Sequence, residues 1–239
     1  MELEDYVAAL RRDGAALADA ATDLTRPVPS CPDWTAADLV WHVGKVHDFW
    51  LQMAVGMDPA ARVEPKRPAD PDLVAWFSEG VEALAALLAR LDPAKPAWTG
   101  TSQRNAGFIQ RRVAQETAVH AWDALAAAGR DEPIERGLAV DGIDEFLEFF
   151  LPAVPPDGLG DLHLHTTDGP GEWLISPGTE SWMITSEHAK GAAAVRASAS
   201  DLLLLLWRRK GVEVAQVFGD EELVRRFLAS SKLDLEPQR

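Results

Sequence analysis

Glu116 and His120 stand four residues apart in the segment RRVAQETAVHAWD, residues 111–123. At 100° per residue, four residues return a helix to within about 40° of the same face, so a carboxylate oxygen and an imidazole nitrogen can aim at one point. That supplies two ligands of a metal site. A third nitrogen from elsewhere would complete a zinc-type catalytic arrangement with one open position, and the best candidate is His42 in WTAADLVWHVGKVHDFW. The same spacing also suits a surface ion pair or a core histidine with satisfied hydrogen bonds, and spacing alone does not choose among the three.

The flanking residues carry similar alternatives. Asp123, three residues after His120, is placed to accept from its ring or to orient a substrate, or else it is a surface carboxylate. Arg112, four residues before Glu116, either pairs with it along the helix or, like Arg111, receives a carboxylate from a cofactor or an acidic substrate. His163 and His165 share one face of an alternating run and read as a polar strand face rather than a metal site. Cys31, in a proline-rich turn, reads as a small packing residue.

The elements that must position these groups follow from hydrophobic period. Apolar residues recur at helical intervals over residues 2–22, 35–55, 71–91, 108–128 and 134–150, separated by stretches rich in Pro, Gly and charge. Thr35 with Asp38 resembles a capping box at the start of the second helix. That helix is apolar nearly all round, which predicts a place inside a bundle and a buried His42. His47, about 140° further round, is expected to point outward. Pro152 and the Pro155-Pro156-Asp157-Gly158 turn mark a boundary between a helical domain, 1–154, and a second domain, 155–239. Past it the period becomes alternating: DLHLHTTD, GEWLISPG, SWMITSE and AAAVRASAS read as strands of an antiparallel sheet, followed by helices over 200–210 and 220–230.

Bulk properties narrow the function. A formal charge of −15 is spread over both halves, so no basic surface is available for nucleic acid or an anionic membrane. A single cysteine excludes an internal disulfide framework and a Cys-rich zinc module. The N-terminus lacks the pattern of a leader, and the longest aliphatic run, Leu202–Leu206, is far below the ~20 residues of a span, so a cytoplasmic protein is expected. Small molecules are the expected partners, with a monomer or homodimer equally open.

Four segments, CPDWTAADLVWHVGKVHDFW, RRVAQETAVHAWDALAAAG, LAVDGIDEFLEFF and DLLLLLWRRKGVEVAQVFGDEELVRRFL, resemble the mycothiol-dependent maleylpyruvate isomerase family of the DinB-like metalloenzyme superfamily. They occur in the family's order and span most of both domains. The resemblance implies an α+β protein: a DinB-like, up-down four-helix-type bundle joined to a small sterol-carrier-like α+β domain with an antiparallel sheet. It implies that His42, Glu116 and His120 hold a divalent metal, usually zinc, and that mycothiol supplies the thiol this chain lacks. Asp123 and Arg112 are then the catalytic candidates. Arg111 and Trp34 are the cofactor-binding ones, Trp34 being one of several tryptophans on which a sugar ring could stack. The implied chemistry is cis–trans isomerisation of a maleylpyruvate-like substrate or thiol transfer. The competing readings are a non-catalytic ligand-binding module and a metal-assisted hydrolase.

Overall fold

Residues 1–231 and 233 are described in the computed structural model, and the chain divides into two compact units, Met1–Ile134 and Glu135–Arg239. The first consists of four helices: α1 (Leu3–Ala20), α2 (Ala36–Val55), α3 (Asp70–Leu88) and α4 (Ala106–Ala127). Each is flanked by two others, α1 by α3 and α4, and α2 by the same pair, so that α1 and α2 face each other diagonally. The consequence for the site is that α2 and α4 lie side by side.

Local chemistry sets the ends of those two helices. Thr35 caps α2 by accepting from the Asp38 amide, while the Asp38 carboxylate accepts from the Thr35 amide at 2.9 Å, the expected capping box. Gly56, at φ 93°, closes the helix in the left-handed conformation that glycine adopts without strain. Asn105 caps α4 by accepting from the Phe108 amide at 3.0 Å. Gly44 of α2 allows close packing against α3, because a Cβ there would overlap the Trp76 ring. The bundle core is formed by Leu10, Leu17, Leu39, Val43, Phe77, Leu84, Ile109 and Val113, all essentially inaccessible.

The second unit begins with α5 (Arg136–Phe149). The sequence places this helix in the first domain and the boundary after it; in the structure the division falls before it. Side-chain packing is the reason. Phe146 and Phe150 meet the ring of Trp207, at centroid distances of 5.4 and 4.5 Å, beside α6 (Ala199–Leu206). A proline turn ends a helix but does not decide what the helix packs on.

The rest of this unit is a five-stranded sheet, β1 (Leu162–Thr166), β2 (Glu172–Pro177), β3 (Trp182–Thr185), β4 (Ala193–Ala197) and β5 (Gln216–Gly219), in the order β3-β2-β1-β4-β5. Four strands match the alternating runs, and β5 is additional to them. Pairing is antiparallel except between β1 and β4, which run parallel. The chain closes with α7 (Glu221–Ser230), capped by Asp220. Leu162, Leu164, Ile175 and Val195 alternate into the core of this unit. Among the described residues, no helix is long and apolar enough to cross a membrane.

Candidate metal centre

Helix α4 is buried along most of its length and carries an unusual load of polar side chains inside the bundle: Gln110, Arg112, Gln115, Thr117, His120 and Asp123 are all buried. Buried polar groups need partners: Gln110 donates to Leu88 O and Leu91 O, Thr117 donates to Val113 O, and Arg112, His120 and Asp123 form one cluster with Glu116. His120 Nε2 lies 3.1 Å from Glu116 Oε1, as the one-turn spacing requires. His42, on the neighbouring face of α2, brings its Nε2 to 3.5 Å from the same oxygen. The two imidazoles meet edge to face at 5.1 Å.

The remaining oxygen of Glu116, Oε2, accepts from Arg112 at 3.0 Å, and the Arg112 side chain is only 4% exposed. Thus the alternative in which Arg112 pairs along its own helix is the one the structure contains. His120 turns its other nitrogen, Nδ1, to Asp123 Oδ2 at 2.8 Å. Asp123 is fully buried, so its reading as a surface carboxylate is corrected: the 26–35 loop crosses the last turns of α4, with Arg26 donating to Ala127 O and Ser30 and Cys31 reaching Asp123. That loop is folded by Val28 N donating to Trp34 O at 2.9 Å and by Asp33 in the left-handed region at φ 71°, a conformation Asp tolerates better than most residues. It delivers Ser30, whose hydroxyl donates to Asp123 Oδ1 at 2.5 Å, and Cys31, whose thiol is 3.7 Å from Asp123 Oδ2. It also lays Trp34 against His42 and His120, at centroid distances of 4.7 and 6.4 Å. Arg111 is half-buried on α4, about 140° round the helix from Glu116.

His47 is the clear departure from expectation. It is 1% exposed, with Nε2 at 2.8 Å from the Thr117 hydroxyl and its ring stacked on Phe77 at 5.6 Å. Because α2 packs on both α3 and α4, two of its faces are interior, and 140° of rotation leads from one to the other. Thr117 donates its hydroxyl proton to Val113 O, so His47 donates from Nε2 and its Nδ1 is left without a partner. Burial pushes this imidazole down to about 4, and it is neutral at physiological pH.

The electrostatics of the cluster are tightly coupled. Burial alone would raise Glu116, but the His120 charge, hydrogen bonds from His120 and His42, and Arg112 hold its carboxyl well below the usual range. Burial alone would lower His120, but the Glu116 charge and the hydrogen bonds to Asp123 and Glu116 raise it to about 9. A metal-free site is therefore a carboxylate enclosed by a proton-bearing imidazole and a guanidinium.

One donor atom each from His42, Glu116 and His120 lie within 4.8 Å of one another. Around a tetrahedral zinc with bonds of about 2.0–2.1 Å, neighbouring donors are about 3.3 Å apart. The contacts of 3.1 and 3.5 Å bracket that spacing, and the set of two imidazoles and one carboxylate suits a zinc-class ion. The residues present therefore fit such a group. Cys31, His120 and Asp123 form an overlapping set, which the sequence reading missed because it took Cys31 for packing.

Residues 3–125 match the family described as mycothiol maleylpyruvate isomerase N-terminal domain, and residues 137–226 match the corresponding C-terminal domain. The chain belongs to the mycothiol maleylpyruvate isomerase family. The second match begins one residue into α5, in keeping with the division of the chain before that helix. The fold is that of the crystal structure of the mycothiol-dependent maleylpyruvate isomerase, at 14% identity and a TM-score of 0.66 over 91% of this chain and 93% of that one. A variant of that enzyme with one histidine replaced by alanine aligns at 13% identity and a TM-score of 0.65, with the same coverage. No curated protein matches the chain by sequence.

Proposed function

We propose that the protein is a divalent-metal-dependent isomerase that uses mycothiol, or a closely related low-molecular-weight thiol, on a small maleylpyruvate-like substrate with a polarised cis double bond. The observation that carries this reading is the convergence of His42 Nε2 and His120 Nε2 on Glu116 Oε1 inside a bundle of this family. His42, Glu116 and His120 would hold a zinc-class ion, and such an ion would supply the acidity that turns a thiol into the thiolate nucleophile that reversible addition to an activated alkene needs.

The chain's own residues do the positioning. Arg112 donates to Glu116 Oε2, which turns Oε1 toward the two imidazoles. Read from the sequence as a catalytic residue, Arg112 is better described as a positioning residue, since its guanidinium is buried against Glu116. Asp123 accepts from His120 Nδ1, which leaves the lone pair of the neutral ring on Nε2, the atom facing Glu116. Ser30 holds the other oxygen of Asp123 and so fixes that orientation from the loop. Cys31 is directed at Asp123, and the reacting thiol comes from outside the chain. Trp34, tilted against His42 and stacked on His120, forms a wall of the site.

The test is direct. Purified protein should hold a divalent ion that is lost in His42→Ala and His120→Ala, and should isomerise maleylpyruvate only when mycothiol is added. Turnover that proceeds equally without thiol, or hydrolysis of small amides in its place, would overturn the proposal.

A further inference from the structure

The second unit contains its own group of metal-binding side chains. On β1, His163 and His165 alternate with Leu162 and Leu164, so while the leucines enter the core both imidazoles leave by the opposite face of the sheet. The register places Glu172 of β2 directly opposite His165, on that same face. The chain after β3 then carries His188 over them. His165 Nδ1 is 2.7 Å from Glu172 Oε1, His188 Nδ1 is 3.0 Å from Oε1 and 3.2 Å from Oε2, and His163 Nε2 is 3.9 Å from Oε2. One ligand atom from each of the four residues lies within 4.8 Å of the others.

His163 supplies the second observation. It is 6% exposed, its Nε2 is aimed into the cluster, and that nitrogen has no hydrogen-bond partner. Buried polar atoms are almost always satisfied. As a hydrogen-bonded group, Glu172 serves His165 and His188 and leaves His163 out. An ion at the centre would satisfy all four.

We propose that His163, His165, Glu172 and His188 form a second divalent-metal site of the zinc class, separate from the one in the bundle. Three imidazoles, borderline donors, beside a single hard carboxylate favour zinc, cobalt or nickel over calcium and magnesium, which need mostly oxygen. Donors about 3.3 Å apart suit tetrahedral zinc, so the looser His163–Glu172 contact must close by about half an ångström. Four protein ligands fill the shell, which marks the site as structural. Its effect is to clip residues 186–191 to the sheet through His188, whose side chain is otherwise 79% exposed.

The experiment uses the untagged full-length chain, stripped with chelator and titrated with cobalt(II) and zinc(II). Wild type should bind about two equivalents, and the Glu116→Ala/His120→Ala double variant about one, with visible cobalt bands of a tetrahedral nitrogen–oxygen site. Adding His163→Ala should abolish that remaining equivalent. His165→Gln and His188→Ala, at more exposed positions and so safer for folding, each remove a ligand and should weaken it by more than the roughly 10–100-fold that loss of an outer-shell partner costs, while the circular dichroism stays native. Less than a fifth of an equivalent in a natively folded double variant overturns the proposal, as does binding that survives both His163→Ala and His188→Ala. Failure of the bundle reading gives a different pattern: wild type then binds one equivalent, lost in His163→Ala and retained in the double variant.

Discussion

Metal uptake by the bundle site should depend on pH in a way set by His120. In the metal-free protein the Glu116 charge and the Asp123 hydrogen bond overcome burial and raise this imidazole to about 9, so at pH 7 it carries a proton on the nitrogen that must ligate. A proton on a ligand competes with the ion, so a raised value weakens binding at every pH below it. Two pH units at 1.36 kcal/mol each amount to about 2.7 kcal/mol, or a loss of about 100-fold in apparent affinity at pH 7 relative to the plateau above pH 9. Chelator-competition titrations with zinc at pH 7, 8 and 9 should show about a tenfold gain per unit, levelling above 9. Calorimetry in buffers of different ionisation enthalpy should find about one proton released per ion at pH 7. Asp123→Asn removes a group that raises His120, so the plateau should be reached at lower pH. An affinity flat from pH 7 to 9, with no proton released, would refute this account of the cluster.

Three further outcomes follow from the bundle. His47 is depressed to about 4 by burial, against an unfolded value near 6.5, so the folded state resists its protonation. The stability it contributes is complete above pH 6.5 and is lost as pH falls to 4, by about 3 kcal/mol; urea melts of wild type and His47→Gln should differ in slope over that window alone. Arg112→Gln should lower metal affinity about 10–100-fold, measured by the same competition, because Glu116 loses the partner that orients it. Gly44→Ala should lower the thermal midpoint through a loss of about 1–3 kcal/mol, since the new methyl displaces the Trp76 ring; an unchanged midpoint would mean that α2 and α3 can move apart at no cost.

What the sequence determined is what lies within one helical turn or one strand. Glu116 and His120 share a face by spacing alone, Thr35 and Asp38 start α2, and the alternation from 162 to 166 separates the leucines from the histidines. The apolar surround of α2 predicts a buried His42, whereas the side chain is only half-buried, 15% exposed at the edge of the cluster. Tertiary structure decided everything that needs two distant segments to meet. The side-by-side packing of α2 and α4 brings His42 to Glu116, and the flanking of α2 by α3 as well turns His47 inward to Thr117 and Phe77. The 26–35 loop carries Ser30 and Cys31 to Asp123, α5 leaves the bundle for Trp207, and β2 with the 186–191 segment gathers Glu172 and His188 around His163. Hydrophobic period says that a face is buried, but it carries no information about which neighbour buries it. For each of these groups, that neighbour sets its charge state, its partner and its role.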